Sequence, residues 1–379
     1  MWQKGKCVGN PYSADKMPWL AMHEGWPPKA PSQVQMILSD LCQMDCVSPD
    51  GDPWCAYRMP GYSSNELFVS DSEVSKFGHS NPKRFMPTDR ALGLLDEMKA
   101  AGVKGLQLTG GGEPLLHPDH KRIMERALEL DFKCSLVSNG LALTSEVKRL
   151  LAKFSWVRIS IDAGTEETYS KTRTTHPDNY QKVLRNVADI SRVIAESGSD
   201  CVLGIGFVVM PHNWIEIEQG VLAAKEHGAH NIRLSAMFSP QDEKPYIYIY
   251  HAIKDNIAIA KRHETESFKV YDLFGDRIED LRLGNPDYPI CAKMYYCTYI
   301  GADLNTFMCC VYAYSERGKI AGNLGNLKNR RFDEFWASEE RKAFMANFDP
   351  TKCERCQFNP ANRAMNSILG PKPLHGEFP

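Results

Sequence analysis

The sequence predicts an α/β fold built on a parallel sheet, and three observations carry that prediction. Between residues 34 and 240, short branched-apolar runs alternate with amphipathic helical stripes, a rhythm that fits about six strands. Polar and glycine-rich clusters directly follow the runs, and parallel folds of the barrel kind gather the C-terminal strand ends on one rim that carries the chemistry. The chain has 379 residues, 43% hydrophobic and 24% charged, enough for a large sheet domain with an appendage. Open doubly wound and partial-barrel arrangements both satisfy this alternation.

The elements follow in order. Residues 1–33 are rich in Pro, Gly, Trp and Met without a sustained period and read as an irregular arm. Val34–Leu38 is the first strand, and residues 60–87 are an irregular excursion. Thr88 is positioned to cap a helix whose Leu92, Leu95 and Met98 share a face, with Gly102 past its end. Strands at Val103–Leu108, Cys134–Val137, Trp156–Ile161, Val202–Val209 and Ile232–Ala236 come next. Helices fall between them, the strongest stripe being Val183, Leu184, Val187, Ile190 and Ile194. Residues 241–285 read as a bridging segment to a separate C-terminal region, 286–379.

Composition excludes several classes. A formal net charge of −2 offers no bulk attraction to nucleic acid or an anionic membrane, and Lys121, Arg122 and Arg126 on one helix read as a solvated face. No window reaches the roughly 18 apolar residues of a membrane span, and residues 1–20 lack a signal-peptide core. The expected setting is a reducing cytoplasm, where twelve cysteines call for a reason other than disulfides. Cys7, Cys134 and Cys201 stand alone, the last two suiting buried apolar positions. The other nine fall in two groups.

Cys42, Cys46 and Cys55 lie in the loop after the first strand, LSDLCQMDCVSPDGDPWCAY. Iron–sulfur clusters normally take four thiolates, so a loop supplying three leaves one iron open. Ordinary loop cysteines are the plainer alternative. The later strands end in Thr109-Gly110-Gly111-Gly112-Glu113-Pro114, Ser138-Asn139-Gly140, Ser160-Ile161-Asp162 and Met210-Pro211-His212-Asn213. A lone glycine turn marks only a tight turn, but here it sits one strand after a cysteine loop.

On these residues, 34–240 resembles the radical S-adenosylmethionine (SAM) enzymes. That family's usual motif is CxxxCxxC with an aromatic before the third cysteine. The chain keeps Cys42-x3-Cys46 and Trp54 before Cys55, but eight residues separate Cys46 from Cys55, an insertion of about six within Val47–Pro53 with Pro49, Asp50, Gly51 and Pro53 as turn formers. The resemblance implies a partial (β/α)6 TIM-like barrel. It implies a [4Fe–4S] cluster on Cys42, Cys46 and Cys55 that binds SAM through its open iron. Gly111, Gly112, Glu113 and Pro114 match the GGEP motif that holds the SAM ammonium, where glycine allows close backbone approach and a carboxylate suits the cation. Ser160 and Asp162 look like contacts to the SAM ribose or carboxylate. Arg173 falls where a basic residue faces that carboxylate, and Asn139 is a further contact.

The second group is Cys291, Cys297, Cys309, Cys310, Cys353 and Cys356. Cys353-x2-Cys356 is a pair of the kind that serves zinc or iron–sulfur sites alike. With GKIAGNLGNL and FDEFWASEERKAF before it, the region resembles the SPASM/Twitch iron–sulfur extension. No cysteine follows Cys356, so the resemblance implies one auxiliary [4Fe–4S] cluster. Its ligands would be Cys291, Cys353, Cys356 and Cys310, with Cys309 the alternate. Cys310 is preferred because Asn305, tolerant of left-handed backbone, sits where the family has a glycine five residues before the ligand. Cys297 is then spare and a candidate hydrogen-atom donor to a substrate radical.

The function implied is reductive cleavage of SAM to a 5′-deoxyadenosyl radical, which takes hydrogen from a small-molecule or modified-nucleoside substrate for net oxidation or rearrangement. Flavodoxin or ferredoxin is the expected electron donor. Peptide modification is the rival, disfavoured because the 33-residue arm is too short for a leader-binding domain. A noncatalytic iron–sulfur or zinc protein is the alternative from another class.

Overall fold

The computed structural model of the chain describes residues 14, 16–51, 54–55, 85–238, 243–313, 322–353 and 355–370. Cys7 and most of the 60–87 excursion lie outside them. Ten strands form one sheet: β1 (Gln33–Ile37), β2 (Gly105–Thr109), β3 (Lys133–Ser138), β4 (Trp156–Ser160), β5 (Val202–Val209), β6 (Asn231–Ala236), β7 (Lys269–Asp272), β8 (Cys297–Ile300), β9 (Asn305–Phe307) and β10 (Asn323–Asn326). Their order is β10-β9-β8-β1-β2-β3-β4-β5-β6-β7. Neighbours from β8 through β1 to β7 are all parallel, and β8-β9-β10 run antiparallel to one another. The six strand–helix units read from the sequence are the centre of this sheet.

Strand alternation divides labour between the two faces. One face presents Val34, Met36, Leu106, Leu108, Leu136, Val157, Ile159, Leu203, Ile205, Ile232 and Leu234, which pack in a single core with the surrounding helices. The helix Asp178–Ser197 joins that core through Val183, Leu184, Val187, Ile190 and Ile194, as its stripe predicts. The opposite, inner face carries Gln35, Gln107, Ser135, Arg158, Ser160, Arg233 and Ser235. The core sits outside the sheet and the polar chemistry inside it.

Three expectations change. Lys16–Glu24 is a helix, and its Met17 packs on Ala292, Tyr296 and Met365, so this part of the arm is held against the C-terminal region. The bridging segment adds a further unit to the sheet: helix Tyr250–Lys261, β7 and helix Phe274–Leu283. Its strand is only four residues long, too short for a periodic signal. Thr88 does not cap the helix Thr88–Ala101; Pro87 precedes it, and the Thr88 hydroxyl donates to Asp119 at 2.6 Å. The far end stops at Gly102, φ 99°, as expected of a left-handed glycine. Among the described residues, no helix is long and apolar enough to cross a membrane.

The C-terminal region is clamped to this scaffold by Arg90. Its guanidinium pairs with Glu97 through two hydrogen bonds of 2.8 and 2.9 Å and donates to the carbonyls of Leu327 and Arg330, both at 2.8 Å. Glu97 also accepts from the Phe332 N–H at 2.8 Å. Removing Arg90 would strand a buried carboxylate and two carbonyls. Arg90→Ala is expected to cost about 3 kcal/mol of stability, read by chemical denaturation.

Candidate SAM and iron–sulfur sites

The exits of β1 and β2 are bonded backbone to backbone. Gly112 N–H donates to Ser39 O at 2.8 Å and Glu113 N–H to Leu41 O at 2.7 Å. This contact needs a glycine, since a Cβ on Gly112 would lie 2.0 Å from the Leu41 carbonyl oxygen. The turn is thereby pressed against the cysteine loop, with Cys42 next in sequence.

Glu113 then points inward, 2% exposed. It accepts hydrogen bonds from Ser138 Oγ (2.8 Å), Asn139 N–H (2.7 Å) and Leu115 N–H (3.2 Å). Burial pushes its carboxyl up, and these three donors pull it back. A carboxylate has room for about four donors, so one position remains for a cationic ligand group. Asn139, in turn, places its Nδ2 3.9 Å from Cys42 Sγ.

The third wall comes from β4, β5 and a helix the sequence reading did not resolve, Glu166–Arg173, capped by Thr165. Asp162 is left-handed at φ 59° and buried. One of its oxygens accepts from Val208 N–H at 2.6 Å, and the other pairs with Arg173. Arg173 also reaches Cys46 Sγ at 3.5 Å and lies 5.4 Å over the Trp54 ring. Burial works against the Arg173 cation, but the charges of Asp162 and Cys46 more than restore it. Its Nε is buried without a partner among the described residues, a donor suited to a ligand carboxylate.

The long Cys46-to-Cys55 spacing closes on itself. Trp54 N–H donates to Cys46 O at 3.3 Å and its indole to Thr172 O at 3.0 Å. Gly51 N–H returns to Ser48 O at 2.9 Å in a local turn. These bonds hold Trp54, the residue before Cys55, against Cys46 and Thr172. Ser160 lies on the inner face, partly buried. Thus Cys42, Cys46, the glycine turn, Asn139, Asp162 and Arg173 meet at one mouth, and these residues fit a thiolate-held cluster with SAM.

The C-terminal cysteines assemble differently from the sequence expectation. Cys291, Cys309, Cys353 and Cys356 line one small cavity. Cys310, preferred from spacing, is not in its wall; it packs with Cys297, Tyr299 and Phe307 and receives the Gln357 amide. The reason is backbone geometry. The left-handed residue is Leu304, φ 71°, not Asn305, which begins β9. Five residues after Leu304 comes Cys309. A bulky residue in that conformation is uncommon, so residue type alone does not mark the left-handed position.

Burial pushes the Cys291 thiol up to about 12 and Cys356 up to about 11. Such thiols ionise when a cationic centre compensates them, as the irons of a cluster do. Tyr288 Oη lies 3.1 Å from Cys356 Sγ and accepts from Asn362 Nδ2 at 3.0 Å. Asn362 Nδ2 is 3.9 Å from both Cys291 Sγ and Cys356 Sγ. Contacts of this kind tune a cluster's potential. Sequence reasoning missed Tyr288 and Asn362 because only the fold brings them to the thiols. Among the described residues, no three Cys, His or carboxylate side chains converge to hold a single metal ion.

Comparison with known proteins fits this geometry. The radical SAM superfamily profile matches residues 53–219, beginning inside the cysteine loop, so Cys42 and Cys46 precede the matched stretch. The SPASM profile, an iron–sulfur cluster-binding domain, matches residues 291–357. The AdoMet-dependent heme synthase of Methanosarcina barkeri is 29% identical over 202 residues, 53% of this chain and 49% of the relative. The GTP 3′,8-cyclase of Limosilactobacillus fermentum is 34% identical over 116 residues, 28% of this chain and 34% of the relative. The match therefore spans half or less of these curated relatives. Streptococcus suis SuiB bound to the precursor peptide SuiA shares the fold, with a TM-score of 0.57 at 15% identity over 90% of this chain and 73% of that one.

Three substitutions test the geometry. Gly112→Ala is expected to lose the iron of the first site, about half the total, while the second site keeps its share. Cys309→Ser is expected to strip the second site and Cys310→Ser to spare it, each read as iron per chain.

Proposed function

The chain belongs to the radical SAM superfamily and carries a C-terminal SPASM domain, and on that premise we propose that it reductively cleaves SAM to a 5′-deoxyadenosyl radical that takes hydrogen from a small-molecule or modified-nucleoside substrate, for net oxidation or rearrangement. The observation that carries this reading is the bonding of the glycine turn to the cysteine loop, with Arg173 reaching from Asp162 to Cys46.

The chain's own residues have separate tasks. Cys42, Cys46 and Cys55 would hold the first cluster. The Gly111–Pro114 turn, with the spare acceptor position on Glu113, would orient the SAM ammonium, and the Arg173 Nε its carboxylate. Ser160 would meet the ribose, and Asn139 would steady Cys42. Asp162 acts by holding Arg173 in position.

Cys291, Cys309, Cys353 and Cys356 would hold one auxiliary [4Fe–4S] cluster. Four protein thiols leave no open iron for a substrate, which favours electron transfer. A small reductant such as flavodoxin or ferredoxin in a cytoplasmic setting would supply the electrons. Cys297 opens β8 on the inner face, buried, with the Gln35 amide 3.6 Å from its sulfur, and would be the spare thiol that gives a hydrogen atom. Support for a small substrate comes from the two curated relatives, named for heme synthesis and GTP cyclisation. The peptide-bound relative is alike in fold alone.

After anaerobic reconstitution, SAM and dithionite are expected to yield 5′-deoxyadenosine from the wild type and none from Cys46→Ala. Wild-type iron near eight per chain, falling to about four in the Cys42/Cys46/Cys55→Ala triple variant, completes the expectation. Equal behaviour of wild type and Cys46→Ala would sink the reading, and a zinc content in place of iron would favour a noncatalytic binding protein.

A further inference from the structure

The helix Glu166–Arg173 is fastened to the cysteine loop along one side. Asp45 N–H donates to Arg173 O at 3.3 Å, and Thr174 Oγ1 donates to Asp45 O at 2.6 Å. Trp54 donates its indole N–H to Thr172 O at 3.0 Å, and Arg173 reaches Cys46 Sγ at 3.5 Å. Residues four apart on a helix share a face, so Tyr169 lies one turn before Arg173 on the side turned to the thiols. The charged groups that act on its phenol agree with this placement: Arg173, Asp162, Cys46 and Cys42.

Tyr169 is wholly buried, and its hydroxyl has no hydrogen-bond partner among the described residues. Its ring packs beside Tyr180, with centroids 5.4 Å apart. Tyr180 shows the ordinary solution at the same place: its hydroxyl donates to Gly164 O at 3.0 Å. A hydroxyl shut away unpaired costs about 1–3 kcal/mol, and phenylalanine would fill the same ring space without that cost. Burial pushes the Tyr169 phenol up, so it stays an O–H donor at neutral pH. One turn away, Arg173 Nε is a second buried donor without a partner among the described residues. Two orphan donors on one helix face, both beside the cysteine loop, suit acceptors on the group held there. Arg173 Nε is assigned to the SAM carboxylate. Tyr169 lies within the field of two of the three thiols, and the anionic sulfurs of a thiolate-held cluster are its fitting acceptors.

We propose that the Tyr169 hydroxyl donates a hydrogen bond to a sulfur of the first cluster and thereby raises that cluster's reduction potential. This rests on the reading that Cys42, Cys46 and Cys55 hold a [4Fe–4S] cluster, and it adds a residue that sets how readily the cluster is reduced. A hydrogen bond to sulfur favours the reduced, more negative state, so the potential rises. One electron enters from the reductant, and Tyr169 keeps its proton throughout.

The test is a reductive titration of the reconstituted full chain, followed by electron paramagnetic resonance. The signal missing from the Cys42/Cys46/Cys55→Ala triple variant identifies the first cluster without reference to SAM cleavage. In Tyr169→Phe the midpoint of that signal is expected to move negative, with about tenfold less cluster reduced at a fixed potential, or about 59 mV. The midpoint of the second cluster and the iron content should stay at wild-type values. Tyr180→Phe, which removes the neighbouring hydroxyl, is the control and should titrate like wild type. After exchange into D2O, a deuteron coupled to the reduced first cluster is expected in the wild type and lost in Tyr169→Phe, which a packing role alone does not produce. If Tyr169→Phe loses iron, Tyr169→Met, also without the donor, carries the test. An unmoved midpoint, or survival of that deuteron coupling in the variant, overturns the proposal. Weaker SAM binding with an unmoved midpoint also overturns it and assigns the hydroxyl to SAM. If the triple variant keeps every signal, the cluster assignment itself fails and the proposal falls with it, a result distinct from an unmoved midpoint.

Discussion

Two backbone hydrogen bonds, Gly112 N–H to Ser39 O and Glu113 N–H to Leu41 O, hold the rest of the mouth in place. They are main-chain contacts at a distance no side chain permits, because the Leu41 oxygen occupies the place of a Cβ on Gly112. Once the exits of β1 and β2 are locked, Glu113 is carried inward to the exit of β3. There it satisfies Ser138 and the Asn139 N–H, and Asn139 faces Cys42. Three strand ends therefore behave as one unit.

Charge organises the inner side as apolar packing organises the outer. The helices absorb the apolar face of every central strand, which leaves the inner face free for polar groups. There Asp162 and Arg173 form a buried pair, and Arg173 extends that pair to Cys46. Burying both ions is costly in itself, and the pair is sustained by the Val208 N–H and the neighbouring thiol. What the pair provides is orientation: it fixes a cation beside the cysteine loop.

The C-terminal extension is continuous with the same sheet. β8 lies parallel to β1, and the antiparallel β9 and β10 continue from it. Arg90 and Glu97, on a helix of the central sheet, satisfy backbone groups at Leu327, Arg330 and Phe332. Both cysteine groups are thus mounted on one hydrogen-bonded framework, with the strand that enters the first loop flanked by a strand of the second region. The left-handed turn at Leu304, anchored by Asp303 accepting from the Asn305 N–H at 3.1 Å, directs Cys309 and not Cys310 to the second cavity.

Much was legible in the sequence. Strand–helix alternation needs only local periodicity, so the central units, their order and the polar rim follow from the pattern of Val, Ile and Leu against Gly, Ser and Asp. The glycine turn and the cysteine loop declare themselves because their residue types have few substitutes at such close approach. Other features depended on contacts across the chain. The four-residue β7 carries too little period to be seen, and Lys16–Glu24 becomes a helix against residues near the other end. Neighbouring cysteines such as Cys309 and Cys310 differ only in the direction the backbone turns them. At the opening loop, sequence alone determined that three thiols and a glycine turn belong together, because spacing and residue type are local. That the long insertion closes from Trp54 onto Cys46, and that Arg173 arrives beside it, was decided by tertiary structure, because those contacts join segments that local sequence does not relate.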